Sequence, residues 1–522
     1  MRTRNATLEG KKPNLSFREG GKTSVFLAFF VGAVILGAGI VLGRSRIYIL
    51  FIPTVAFIMT LLWRKLDRPW INLASMAAAT PIAVARYELN GNLIFALFYT
   101  ALNPRCLFRL PGWIYLPSIL VLFGLITSSI NWMSEGVTSG FMRQIMFAFN
   151  LFIGPFLLLP AVYQRMKSSN NHEANLKTLL FCLILPSTIL LLSAKLFGNV
   201  ANLWEASRHA GSSPEGFLLY RLGNAYINFL RTEIGFILAA LICASVAIVS
   251  CPIKTGIKTV ASGCLLVNIF LLLSTASFGS IAACFMGLAA IFFVQMQKIN
   301  LGKVILSAFV LCFTLVITYS LAPDSTKDYL EKRFEHRVVN KNTDRLTLWA
   351  YGVDAILKHP EGVGLTLKGS TGAFIHNDYI VYMVSYGVIG GLCYFLLVIS
   401  VIVSFLRLRK KISRDPAALA VYLAGLGVIV ALAFNSITDH SNENRWYFNV
   451  IWSIIWYCYF CSLSVQNRSF AKIDPTGESI ENTGRDQSLP DTGETVHKPV
   501  RQRTGRVFTG TLPRHLRRDS ID

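Results

Sequence analysis

Residues 376–405 read H-N-D-Y-I-V-Y-M-V-S-Y-G-V-I-G-G-L-C-Y-F-L-L-V-I-S-V-I-V-S-F. From Tyr379 to Phe405 there is no Lys, Arg, Asp or Glu, and an apolar run of that length spans the ~30 Å hydrocarbon core of a bilayer as a helix. A polar, Gly-rich loop containing arginine and histidine runs directly into it, so His376 and Asn377 stand at the mouth of a membrane span.

Working outward, the same pattern recurs along the whole chain. Of 522 residues, 53% are hydrophobic and only 15% charged, with a mean hydropathy of +0.50. Soluble domains are more charged and lack repeated apolar runs. The composition predicts an all-α, polytopic integral membrane protein.

Spans are expected near 24–43, 47–63, 113–130, 144–163, 178–195, 233–250, 259–275, 278–296, 303–322, 379–405, 417–435 and 446–465. In the ambiguous region 70–110, one run (70–85) is interrupted at Pro81. A shorter one (93–103) reads as re-entrant or strongly tilted. This gives twelve to fourteen crossings in a membrane domain over 24–465. Residues 1–23 read as a basic cytoplasmic N-terminus without a cleavable signal, and 466–522 as a disordered, basic cytoplasmic tail.

The formal net charge of +22 is spread over the ends and the short loops between spans. Arg64, Lys65 and Arg68 form one cluster, Lys254 and Lys258 another, and Arg407 to Arg414 a third. That pattern orients spans, with basic loops in the cytoplasm, and argues against nucleic acid as a partner. It puts the two longer loops, 196–232 and 323–378, on the periplasmic face of an inner membrane.

The cysteines lie mostly in apolar runs, where Cys behaves as a small hydrophobe. Cys458-x-x-Cys461 has redox spacing but sits in Trp- and Tyr-rich membrane sequence. Neither a metal-ligand constellation nor a cofactor motif is present; Glu331 to His336 lacks zinc spacing.

One helix is legible in the larger loop. Asp344 is a suitable N-cap, Leu346, Trp349, Ala350, Val353 and Leu357 recur at helical spacing, and Pro360 stops the helix. Arg345 falls four residues before Trp349, on its side. Gly362, Gly364, Gly369 and Gly372 then form a loop whose backbone can approach a ligand.

Charge confined to the membrane faces suits surface chemistry better than transport, which needs ionisable groups at mid-membrane. On the periplasmic face the candidates are Arg208, Arg221, Arg231, Arg345, His359, His376 and Arg445. Arginine's planar fork matches phosphate oxygens, so several together suggest a phosphate-bearing, lipid-anchored substrate. Histidine can accept a hydroxyl proton as a general base. Asn377 or Asp378 equally reads as a simple helix cap.

An Arg-x-x-x-Trp pair (Arg345, Trp349), a His-Pro-x-Gly-x-Gly turn (His359 to Gly364) and His376-Asn377, followed after nine residues by Gly387 and then by Gly390, resemble the shared segment of the bacterial O-antigen ligase and polysaccharide polymerase superfamily. The resemblance implies a GT-C-like membrane glycosyltransferase that uses undecaprenyl-diphosphate-linked oligosaccharide. Its acceptor would be another repeat unit (polymerase, exopolysaccharide or O-antigen) or the lipid A core (ligase), and a flippase and a chain-length regulator would be companions.

By the same resemblance His376, Arg345 and Arg221 are the catalytic candidates, with Asn377, Arg231, Gly364 and Trp349 binding substrate. Arg221, in Tyr-Arg-Leu-Gly-Asn-Ala-Tyr, matches the family's loop arginine more loosely than Arg345 matches its own motif. Relatives often carry Ser-Arg where this chain reads Ser277-Phe278, and Arg231 is the candidate replacement. A non-catalytic polysaccharide or lipid exporter is the alternative from another class.

Overall fold

A computed structural model describes residues 67–79, 81–84, 87–115, 149–197, 204–206, 220–222, 228–229, 231–275, 277–296, 344–363, 375, 377–409, 415–438 and 445–471, with a few isolated positions between them. All belong to the compact unit that ends at Lys472. The expected spans at 24–43, 47–63 and 303–322 lie outside the described residues, as does most of 113–130.

The chain is an all-α polytopic membrane protein; among the described residues, strands of two to four residues lie in its loops. In order, the elements are α1 (Asp67–Ala77), β1 (Pro81–Val84), β2 (Tyr87–Asn90) and α2 (Gly91–Leu102). A π-helical stretch, Phe149–Leu158, runs into α3 (Leu159–Tyr163), and α4 covers His172–Leu192. After β3 (Trp204–Ala206), β4 (Tyr220–Leu222) and β5 (Asn228–Phe229) come α5 (Arg231–Ser250), α6 (Thr255–Thr275), α7 (Phe278–Met296) and α8 (Asp344–Lys358). The last elements are α9 (Asp378–Leu408), α10 (Pro416–Thr438) and α11 (Arg445–Ala471). Six described helices (α4, α6, α7, α9, α10 and the Phe448–Val465 part of α11) are long and apolar enough to cross a membrane.

The ambiguous 70–85 run is not one helix. α1 ends at Ala77 and the chain turns into an antiparallel hairpin, Pro81 opposite Asn90 and Val84 opposite Tyr87. Pro81 opens an edge strand, where its missing N–H costs nothing, and Ile82, Val84 and Tyr87 favour extended backbone. α2 has 12 residues, about 18 Å, as its short apolar run suggested.

α10 and α11 are buried along most of their length and form the centre, with α4, α5, α7 and α9 packed round them. Close approach replaces the hydrophobic drive that helices in lipid lack. A Cβ on Gly287 of α7 would lie 2.6 Å from the Gly427 carbonyl of α10. Buried polar pairs cross-link the bundle: Asn92 donates to Ser453 at 2.8 Å, and Asn268 to Thr188 at 3.0 Å.

Candidate functional site at converging helix ends

The site is organised by a break in α9. Gly387 has φ 75° and ψ 170°, outside any helical region. Tyr382 stacks on Tyr394 with ring centroids 4.2 Å apart, and Tyr379 meets Phe395 edge-on at 5.4 Å. In a straight helix residues twelve and sixteen apart would be separated by about 18 and 24 Å. Residues 378–386 therefore fold back along residues 388–408. The expected span 379–405 is in fact a half-helix of about 13 Å and a crossing helix of about 31 Å; hydropathy alone does not register a glycine with positive φ.

The break is closed by the turn after α8. The Val388 N–H, which would pair with the Val384 carbonyl in an unbroken helix, donates instead to the Pro360 carbonyl at 3.0 Å, and that Val384 carbonyl accepts from Val363 N–H at 2.8 Å. Both backbone groups of that lost rung are thus paired with the turn. Gly362, at φ 94°, fits so closely that a Cβ there would lie 2.4 Å from the Gly387 nitrogen. Only glycine supplies both the conformation and the clearance.

This joint fixes α8 against the half-helix. Gly352 faces Ile375 and Ile380, its missing Cβ 2.5 Å from Ile380 Cγ2. Ala355, Ile375, Val381 and Val384 form a small core flanked by Trp349, Ile356, Val363 and Ile380. Gly352 meets Ile380 and Gly362 meets Gly387, so the two helices run in the same sense. Arg345 and Asn377 consequently lie on the same side of this contact, at the N-terminal ends of their helices.

Asn377 caps the half-helix, its side-chain oxygen accepting from Ile380 N–H at 3.1 Å. Asp378 is 1% exposed and accepts from the Ser436 hydroxyl at 3.0 Å. Ser436 is 3.3 Å from the Tyr394 hydroxyl, which is left to donate to it. Sequence reading missed Ser436, Asn435 and Thr438; the available signal was three polar residues grouped at the end of an otherwise apolar span.

Two further helix ends join them. Ser277 and Ser280 hydroxyls are 2.9 Å apart, and Gly235, one turn into α5, packs on both, its missing Cβ 2.8 Å from Ser280 Oγ. A Cβ at Gly279 would meet Thr438 Oγ1 at 3.0 Å. The N-terminal ends of α5, α7 and the half-helix thus converge on the C-terminal end of α10. Helix N-termini carry partial positive charge and unpaired N–H groups, which suits anions.

Arg345 is half-buried, and among the described residues its guanidinium has no hydrogen bond or ion pair. Arg231 opens α5, one turn before Gly235. Arg221 lies in the middle strand of the β3-β4-β5 sheet, opposite Glu205 and Asn228, so the expected loop 196–232 carries a small sheet. Arg445 opens α11. His359 sits at the other end of α8, about 20 Å along the axis from Arg345, exposed and 3.3 Å from Glu361. The Glu361 backbone N–H and, secondarily, His359 hold that carboxyl below its usual range. His376, Gly364 and Arg208 lie outside the described residues.

Taken together, fold and site define a multi-pass membrane protein whose polar groups gather where helix ends meet. Residues 261–395 match the family model for O-antigen ligase, from α6 through the broken helix, including Arg345, Trp349, His376 and Asn377. Over that segment, about a quarter of the chain, the protein is similar to the O-antigen ligase family. No curated protein matches the chain.

Proposed function

We propose that this protein polymerises undecaprenyl-diphosphate-linked oligosaccharide repeat units into exopolysaccharide or O-antigen at the periplasmic face of the inner membrane. A hydroxyl of the acceptor sugar attacks the anomeric carbon of the donor, the C–O bond to the lipid diphosphate breaks, and the diphosphate departs with the bonding pair. His376 takes the hydroxyl proton. Arg345 and Arg221 bind the diphosphate and offset the charge that grows on it, a contribution of several kcal/mol where water is excluded. Asn377, Arg231, Gly364 and Trp349 position the substrates.

The observation that supports this reading is the joint between α8 and the broken helix, which sets Arg345 and Asn377, the residue that follows His376 in the sequence, on one side of one contact. The matched family model bears the ligase description, and that favours ligation to lipid A core as the second reading. Complementing a deletion strain with His376→Ala, at verified membrane abundance, tests both. Accumulated single repeats on the lipid carrier support polymerisation, and full-length polymer stranded on the carrier supports ligation. A normal glycan profile overturns the role of His376.

A further inference from the structure

Helix α8 has three faces. Trp349, Gly352 and Ile356 turn toward the half-helix and its small core, and Arg345 shares their helical face. About 200° further round, Thr347, Tyr351, Asp354 and Lys358 form an exposed polar face, with Lys358 paired to Asp354 at 2.7 Å. Between these lies a third stripe, Leu346, Ala350, Val353 and Leu357, at the helical spacing of one face. It is apolar yet open: Leu346 is 65%, Val353 47% and Leu357 77% exposed.

A soluble loop helix would bury that stripe or make it polar. A helix with one face to protein, one to water and one to hydrocarbon is what a membrane–water boundary selects. The neighbouring surface identifies the third medium. Residues 388–408 expose Ile389, Leu392, Leu396, Ile399 and Leu406, the face this spanning helix turns to the bilayer. Leu357 and Ile389 each lie within one turn of the Pro360–Val388 hydrogen bond, so the α8 stripe borders the lipid-facing stripe of the span.

We infer that α8 is a membrane-interfacial helix whose Leu346-Ala350-Val353-Leu357 stripe lies among the acyl chains of the bilayer, while Asp354 and Lys358 remain in water. The inference does not depend on the glycan-transfer reading.

Site-directed nitroxides test it on the full-length protein in nanodiscs of phosphatidylethanolamine and phosphatidylglycerol. The nine cysteines among the described residues are all buried, and the parent protein labelled in parallel sets the background. Labels at Val353→Cys and Leu357→Cys should relax more with oxygen than with an aqueous nickel chelate, as at the reference Leu396→Cys. Labels at Thr347→Cys and Tyr351→Cys should show the reverse. Preferential nickel access at Val353 and Leu357 would overturn the inference, as would shielding from both relaxants, the result expected if a second copy of the chain covers the stripe. Monodisperse elution of each variant distinguishes these results from misfolding.

Discussion

Val388 and Pro360 are joined by a backbone hydrogen bond of 3.0 Å that belongs to neither of the helices it connects. It takes the place of a rung of α9, and with the Val363–Val384 bond of 2.8 Å it makes the Pro360–Gly362 turn part of the broken helix. Gly362 and Gly387, both at positive φ, face each other across the joint.

Replacing either glycine with alanine should therefore disrupt the joint. Each substitution carries about 1–3 kcal/mol of backbone strain and drives a Cβ to within 2.4 or 2.7 Å of opposing backbone. Both G362A and G387A should lower the melting temperature of the purified protein and abolish transfer, and the double variant should cost less than the sum because both act on one contact. Gly112→Ala, with nothing within 4 Å of the added Cβ, is the control and should change neither.

The packing of α8 on the half-helix can be tested without touching a polar group. Gly352→Ala places a methyl 2.5 Å from Ile380 Cγ2, and overpacking of this kind costs about 1–3 kcal/mol. Activity should fall, and trimming Ile380 to alanine in the same chain should recover part of it. If the joint merely decorates the surface, G352A will leave transfer at the parental rate.

The sequence announced the apolar run after Asp378 and the α8 helix with its proline stop. It did not announce the fold-back, because a run from Tyr379 to Phe405 without charge reads as one crossing whether or not Gly387 adopts positive φ. The helical spacing of Leu346, Trp349, Ala350, Val353 and Leu357 covers two faces in the structure, with Trp349 turned inward and the other four outward. Periodicity reports that positions share an environment and does not say whether that environment is protein or lipid. The strand pair after Ala77 was hidden by its alternation of small apolar residues, which serves either secondary structure.

Removing the Ser436 hydroxyl should be felt through Asp378. Ser436→Ala deletes a charge-assisted hydrogen bond to a buried carboxylate, a loss on the order of 1–3 kcal/mol. Ser436→Thr, which retains the hydroxyl, should be milder. Thermal unfolding in detergent compares them, and equal melting temperatures for alanine and parent would show that the bond contributes nothing.

Arg345 should separate function from stability. Its guanidinium has no described partner, so Arg345→Ala should leave melting temperature and membrane abundance within error of the parent. Transfer should drop by about 10²–10³, the usual loss for one preorganised donor at a developing oxyanion. Arg345→Lys keeps the charge but loses the fork and should recover only part of the rate. Parental activity in R345A would remove this arginine from the diphosphate site.

The family this segment resembles often carries an arginine beside the serine at the head of α7. Here that position holds Phe278, flanked by Ser277 and Ser280, and Gly235 of α5 lies against both serines, its missing Cβ 2.8–3.0 Å from them. Arg231 opens α5 one turn earlier, so its backbone stands next to the place where the family's guanidinium is expected. If the charge has moved from one helix end to the neighbouring one, Arg231→Ala should depress transfer and Phe278→Arg in the same chain should restore a measurable fraction. Phe278→Arg alone should be tolerated poorly, since two cations would then crowd one site. Transfer assayed on membranes at matched protein level decides it: no recovery in the double variant, with protein abundance intact, would mean that Arg231 does not substitute for the family's arginine.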